Sequence, residues 1–155
     1  MRVKNKKTIV LLFLAGCVLL NYWLWLSLRP VEIIAVHHRS SGFSDLLVNS
    51  FPPTDKGKIN WWLKNKDILK DKYGIPKPDK NGYFYLTVWL FGEGYKEEGK
   101  YDRLCFIDMP PPINCIEKDR VFSISYSKNR GTIFTVNDGE YHIKKNGNII
   151  KLKDE

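Results

Sequence analysis

The chain reads as an α+β protein: a single transmembrane helix at the N-terminus, then a small domain with a mainly antiparallel sheet and one amphipathic helix. Three observations predict this. Residues 8–28 (TIVLLFLAGCVLLNYWLWLSL) form a run of 21 without a charge. Residues 55–73 repeat apolar side chains at helical spacing. From Tyr83 onward the chain breaks into short β-rich runs separated by turn signals.

A run of about 20 apolar residues is what a helix needs to cross the hydrocarbon core of a bilayer. A backbone in lipid must satisfy its own hydrogen bonds, so the run should be helical. Arg2, Lys4, Lys6 and Lys7 precede it, and only Arg29 follows closely. Basic residues stay on the cytoplasmic side. The expected topology is therefore a cytoplasmic tail (1–7), a signal-anchor helix (8–28) and an outer domain (31–155). Tyr22, Trp23 and Trp25 sit where rings favour the headgroup level, and Pro30 stops the helix. A second reading stays open. Leu14-Ala15-Gly16-Cys17 fits signal cleavage with lipid attachment at Cys17, after a basic n-region and a short apolar stretch. Against it, the apolar run continues past Cys17 for eleven residues. Both readings place the folded part outside the cytoplasm.

The formal charge of +8 would suggest a nucleic-acid partner, but its location argues otherwise. Residues 1–30 hold five of the 25 basic residues and none of the 17 acidic ones, which leaves the outer part at +3. Much of the imbalance is an orientation signal, and nucleic acid is not an expected partner. Cys105 and Cys115 lie in the outer part, where an oxidising compartment permits a disulfide. They flank Met109-Pro110-Pro111-Pro112, and a strand–turn–strand there would bring them within bridging range.

Within the outer domain, residues 31–38 and 46–51 are strand-length apolar runs joined by Ser40-Ser41-Gly42, which predicts a hairpin. Thr54 is a good N-cap for a helix over 55–73, with Asp55 favourably placed in its first turn. Gly74 suits the left-handed position after the last turn, Ile75 should fold back toward Leu69, and Pro76 forbids continuation. Ile59, Trp62, Leu63, Leu69 and Tyr73 form the apolar stripe, and Lys66 inside it must snorkel or meet a carboxylate. Trp61 and Ile68 project from nearly the opposite side, as a patch covered by other chain segments or as a partner contact. Residues 83–91 (YFYLTVWLF) should be a central strand. Residues 92–101 read as a solvated, mixed-charge connection or a recognition loop carrying Glu93, Glu97 and Glu98. Residues 102–108 and 114–117 flank the proline turn. Runs at 121–126, 132–136, 141–145 and 149–152 then follow, with Asp138-Gly139 and Asn146-Gly147 as hairpin signals.

No catalytic constellation or cofactor motif emerges. His37 and His38 are adjacent, so a strand would point them to opposite faces, and His142 stands alone; all three read as surface or turn-proximal. The glycines at 92–99 weakly suggest a phosphate loop, but a strand rather than a helix should follow, and the glutamates would repel phosphate. Neither H-E-x-x-H nor G-x-S-x-G is present.

The segments LAGC (14–17), WLSLRPV (25–31), TDKGKINWW (54–62), YGIP (73–76) and YKEEGKYD (95–102) resemble the enterobacterial putative membrane protein family, domain of unknown function 943. The resemblance implies a Gram-negative inner membrane and a periplasmic domain. It supplies no activity and no catalytic residues. The expected function is a non-enzymatic binding or interaction module held at the inner membrane, an envelope accessory or immunity-type protein. It would have an unidentified protein partner and no cofactor or metal, with Trp61, Ile68, Glu93, Glu97 and Glu98 as candidate contacts. The alternatives are an envelope enzyme assembled from Asp102, Asp108, His142 and Glu97, or a regulator acting through its membrane helix.

Overall fold

The computed structural model describes residues 2–153, with side chains described from Asn5 onward. The outer limits of the 1–7 and 31–155 segments, at Met1 and at Asp154–Glu155, lie outside the described residues, as do the side chains of Arg2 and Lys4. Helix α1 (Arg2–Leu28) is unbroken and exposes apolar side chains on every side. A helix apolar all round finds no water-facing side. Its Asn5–Leu28 portion is long and apolar enough to cross a membrane.

Strands β1 (Ile33–His38) and β2 (Phe43–Val48) form the expected hairpin. Its turn requires Gly42: φ is +85°, and a Cβ there would lie 2.5 Å from the Tyr83 carbonyl oxygen. Helix α2 (Asp55–Tyr73) has the expected ends. Thr54 Oγ1 accepts from the Gly57 N–H at 3.0 Å. Gly74, at φ +67°, donates to the Lys70 carbonyl, and the Ile75 N–H reaches the Leu69 carbonyl. Ile75 is fully buried beneath this cap. Lys66 snorkels to solvent, while Lys58 is the lysine that is buried, its Nζ donating to the Val121 carbonyl at 3.0 Å.

The main sheet adds β3 (Phe84–Leu90), β7 (Arg120–Ser127), β8 (Gly131–Val136), β9 (Gly139–Ile143) and β10 (Ile149–Lys151). Its order is β1-β2-β3-β7-β8-β9-β10. All pairs are antiparallel except β2–β3, which is parallel, in the register Phe43↔Tyr85 to Val48↔Leu90. A parallel pair needs a crossover, and α2 is that crossover. The helix covers one face. Leu46, Val48, Leu86, Val88, Phe122, Ile124 and Phe134 of the sheet bury against Ile59, Trp62 and Leu69 of the helix.

The other face carries a second, three-stranded sheet: two of its strands fall in the expected strand–turn–strand around the prolines, and the third lies in the expected connection at 92–101. The sheet consists of β4 (Lys96–Glu97), β5 (Leu104–Cys105) and β6 (Ile113–Ile116), in the order β4-β6-β5. Residues 92–101 are thus not a wholly open connection: β4 pairs with β6, and Tyr95 turns inward. Phe106 and Ile116 bury against Leu47, with Ala35, Trp89, Tyr95 and Leu104 around them. The main sheet is therefore covered on both faces at β2, so Leu46, Leu47 and Val48 are buried in succession.

Candidate functional site

The second sheet is joined to the first by polar contacts rather than by apolar area alone. Alternation along β1 puts His37 on the face away from α2, opposite Asp45. Its Nδ1 lies 2.8 Å from Asp108 Oδ1, and its Nε2 lies 2.8 Å from Tyr95 Oη. A carboxylate only accepts, so Nδ1 carries a proton, and in the neutral ring the Tyr95 hydroxyl donates to Nε2. The ring stacks on Phe106 at 3.8 Å between centroids and is 5% exposed. The expectation that His37 is a surface histidine is corrected: three residues distant in sequence enclose it. His38, on the opposite face of the strand, is exposed. His142 is half-buried in β9.

Beside His37, Asp45 is fully buried. Arg39 meets it with two nitrogens, Nε to Oδ2 at 2.8 Å and a terminal nitrogen to Oδ1 at 3.0 Å, and Trp89 Nε1 donates to Oδ1 at 2.8 Å. A buried carboxylate needs such partners to stay in the interior. Neither Asp45 nor Tyr95 stands out in the sequence. Only the strand pairings and the turn after β3 bring their partners near.

The four residues considered for catalysis make separate contacts. Asp108 holds His37, and Asp102 pairs with Lys118 at 2.7 Å on the surface. Glu97 is exposed in β4, where its carbonyl accepts from Arg103 at 2.6 Å. Tyr95–His37–Asp108 has the composition of an acid–base relay. The buried ring, however, spends both nitrogens on protein groups and leaves neither for a substrate.

The residues considered as partner contacts divide similarly. Trp61 is half-buried, with Phe51 edge-on to it at 5.1 Å, whereas Ile68 is 59% exposed. Glu93 pairs with Lys96, and that hydrogen bond holds its carboxyl below the usual range. Glu117 is lowered chiefly by its hydrogen bond from Arg103. Glu98 is exposed. Cys17 is a free thiol midway along α1, which continues through it without a break.

Cys105 and Cys115 are direct partners across β5 and β6 and are joined by a disulfide with an S–S distance of 2.07 Å. The loop they close is more than the turn its prolines suggest. Ile107 is 85% exposed and Ile113 is 55% exposed, with exposed Pro110, Pro111 and Pro112 between them. The disulfide spans the base of this apolar tip, and Asp108, inside it, is held by His37. Asn114 Nδ2 also donates to the Phe106 carbonyl across it at 2.9 Å.

No curated protein and no solved structure matches the chain. A family model described as enterobacterial putative membrane protein (DUF943) matches residues 2–153. Together with an N-terminal helix of membrane-crossing length, that match across nearly the whole chain makes this protein a member of the DUF943 enterobacterial membrane protein family.

Proposed function

We propose that the chain is a single-pass inner-membrane protein with its N-terminus in the cytoplasm and its β-rich domain in the periplasm. There it serves as a non-enzymatic binding module, an envelope accessory or immunity-type protein. Lys6, Lys7 and the two basic residues before them support the orientation, and a disulfide suits an oxidising compartment.

The observation that carries the binding reading is the apolar tip. Exposed isoleucines and prolines on a mobile loop would be costly to order on binding. Here the ordering is already done by the disulfide, the His37–Asp108 bond and the short strands. Preorganised apolar surface of this kind is what a partner with a complementary apolar pocket selects.

A photocrosslinking residue placed at Ile107 in living cells tests this, with the same residue at Ile68 as the comparison. The expected result is a discrete protein adduct from position 107 that is lost when Ile113 is changed to Asp. No adduct from 107 in any growth condition, or equal capture from both positions, overturns the reading. A reporter active only outside the cytoplasm, fused after Lys153, tests the topology; it should be active there.

A further inference from the structure

The second sheet covers only part of the face it packs on. Beyond it, over β3, β7, β8 and β9, alternation places one row, Tyr85–Ser125–Ile133–His142, on that face. The next row is Thr87–Ser123–Thr135–Glu140. An open groove of about 390 Å³ lies there, lined among others by Tyr83, Tyr85, Arg120, Ser125, Thr135 and Glu140. It shares no residue with the Ile107–Ile113 tip.

We propose that this groove binds a carboxylated sugar. Three features carry the assignment. First, the rings of Tyr83 and Tyr85 both pack against Phe43, at 6.0 and 5.9 Å, which holds them in place at the groove wall. A pyranose ring has an apolar C–H face that lies against such aromatic surfaces, while the tyrosine hydroxyls stay free to hydrogen-bond. Second, Ser125 and Thr135 contribute hydroxyl side chains to the lining, which suit sugar hydroxyls. Third, Arg120 has no ion pair and no side-chain hydrogen bond among the described residues, whereas Arg130 is tied to Glu140 at 3.1 Å. An uncommitted guanidinium beside hydroxyls and aromatic rings suits a carboxylate, which it grips with two parallel N–H donors.

The setting selects against other ligands. β3, β7 and β8 are each hydrogen-bonded on both sides, so the groove offers no free edge for adding a peptide strand. A single free arginine next to Glu140 makes a poor track for a nucleic-acid backbone. The volume suits one or two sugar rings.

Titration calorimetry on the full chain in detergent micelles, with three probes, provides the test. N-acetylmuramate carries ring and carboxylate, N-acetylglucosamine carries the ring alone, and lactate carries the carboxylate alone. Saturable binding of N-acetylmuramate is expected, at least tenfold tighter than either other probe. Arg120→Gln should lose tenfold or more, and Tyr85→Ala should weaken binding of both sugars. Arg120 is exposed, so its substitution leaves the fold intact, which circular dichroism checks. Absence of saturable N-acetylmuramate binding overturns the proposal. So does lactate binding equally well, or an Arg120→Gln protein that binds like the parent.

Discussion

The two faces of the main sheet are held by different physics. Against α2 the contact is mainly apolar: Phe122 stacks on Phe134 at 5.8 Å and meets Phe51 at 5.6 Å, among buried leucines, isoleucines and valines, with the Lys58–Val121 and Tyr141–Asp55 hydrogen bonds as its polar ties. Against the second sheet the apolar cluster is small. It is supplemented by a buried histidine, a buried aspartate and a disulfide. The first arrangement scales with area removed from water and tolerates imprecise geometry. The second depends on matched donors and acceptors, where one lost partner strands another. A face built the second way positions a particular loop; here it positions Ile107–Ile113.

The largest expected effect tests the apolar face. Phe122→Ala removes a fully buried ring and should cost about 4 kcal/mol. That is a large share of the stability of an ordinary domain, so urea unfolding of the full chain in micelles should show a strongly lowered midpoint. Asp45→Ala tests the polar face and should cost less, about 2–3 kcal/mol. Its partner Arg39 is partly exposed and can turn to water, which limits the penalty. The loss should also be uneven. Hydrogen exchange should speed up in β1, β2 and the second sheet while α2 keeps its protection. A cost for Asp45→Ala above that for Phe122→Ala would reverse the ranking of the two faces.

The same division explains how much of the fold is legible in the sequence. The α2 side can be read because its signals are local: Thr54 and Gly74 mark the helix ends, and the stripe repeats at helical spacing. The β7–β10 meander can be read from Asp138-Gly139 and Asn146-Gly147. The parallel β2–β3 pair cannot, because Leu46-Leu47-Val48 is buried on both faces and hides the alternation that would show which side is core. The second sheet is half legible: the strand–turn–strand of β5 and β6 and its cysteine pair can be read around the prolines, but β4 and its pairing cannot. β4 is two residues long, too short for any periodicity, and Tyr95 sits among glycines and glutamates that suggest solvent. His37 depends on partners 58 and 71 residues away, and nothing near it in the chain announces them. The candidate site is thus the least readable part, since its contacts are long-range and polar.

The smallest effect is the sharpest probe of the polar face. Tyr95→Phe keeps the ring against Phe91 and Phe106 but removes the hydroxyl from His37 Nε2, and should cost about 1 kcal/mol at neutral pH. It should also change the alkaline limb of the stability curve. Burial pushes the Tyr95 phenol above its usual value, and the Asp108 charge adds to this. The unfolded chain therefore releases that proton first, near pH ~10. The contribution is complete below the unfolded value and is lost as pH rises toward the raised folded one. Removing the phenol should make stability fall less steeply above pH ~10. Some slope should persist, because Tyr141 is also raised, first by its hydrogen bond to Asp55. Urea midpoints of parent and Tyr95→Phe proteins across the alkaline range, about pH 8 to 11, check this. Parallel curves would mean that the Tyr95 hydroxyl is no better enclosed in the folded protein than in the unfolded chain, and the His37 bridge would lose its claim to join the two sheets.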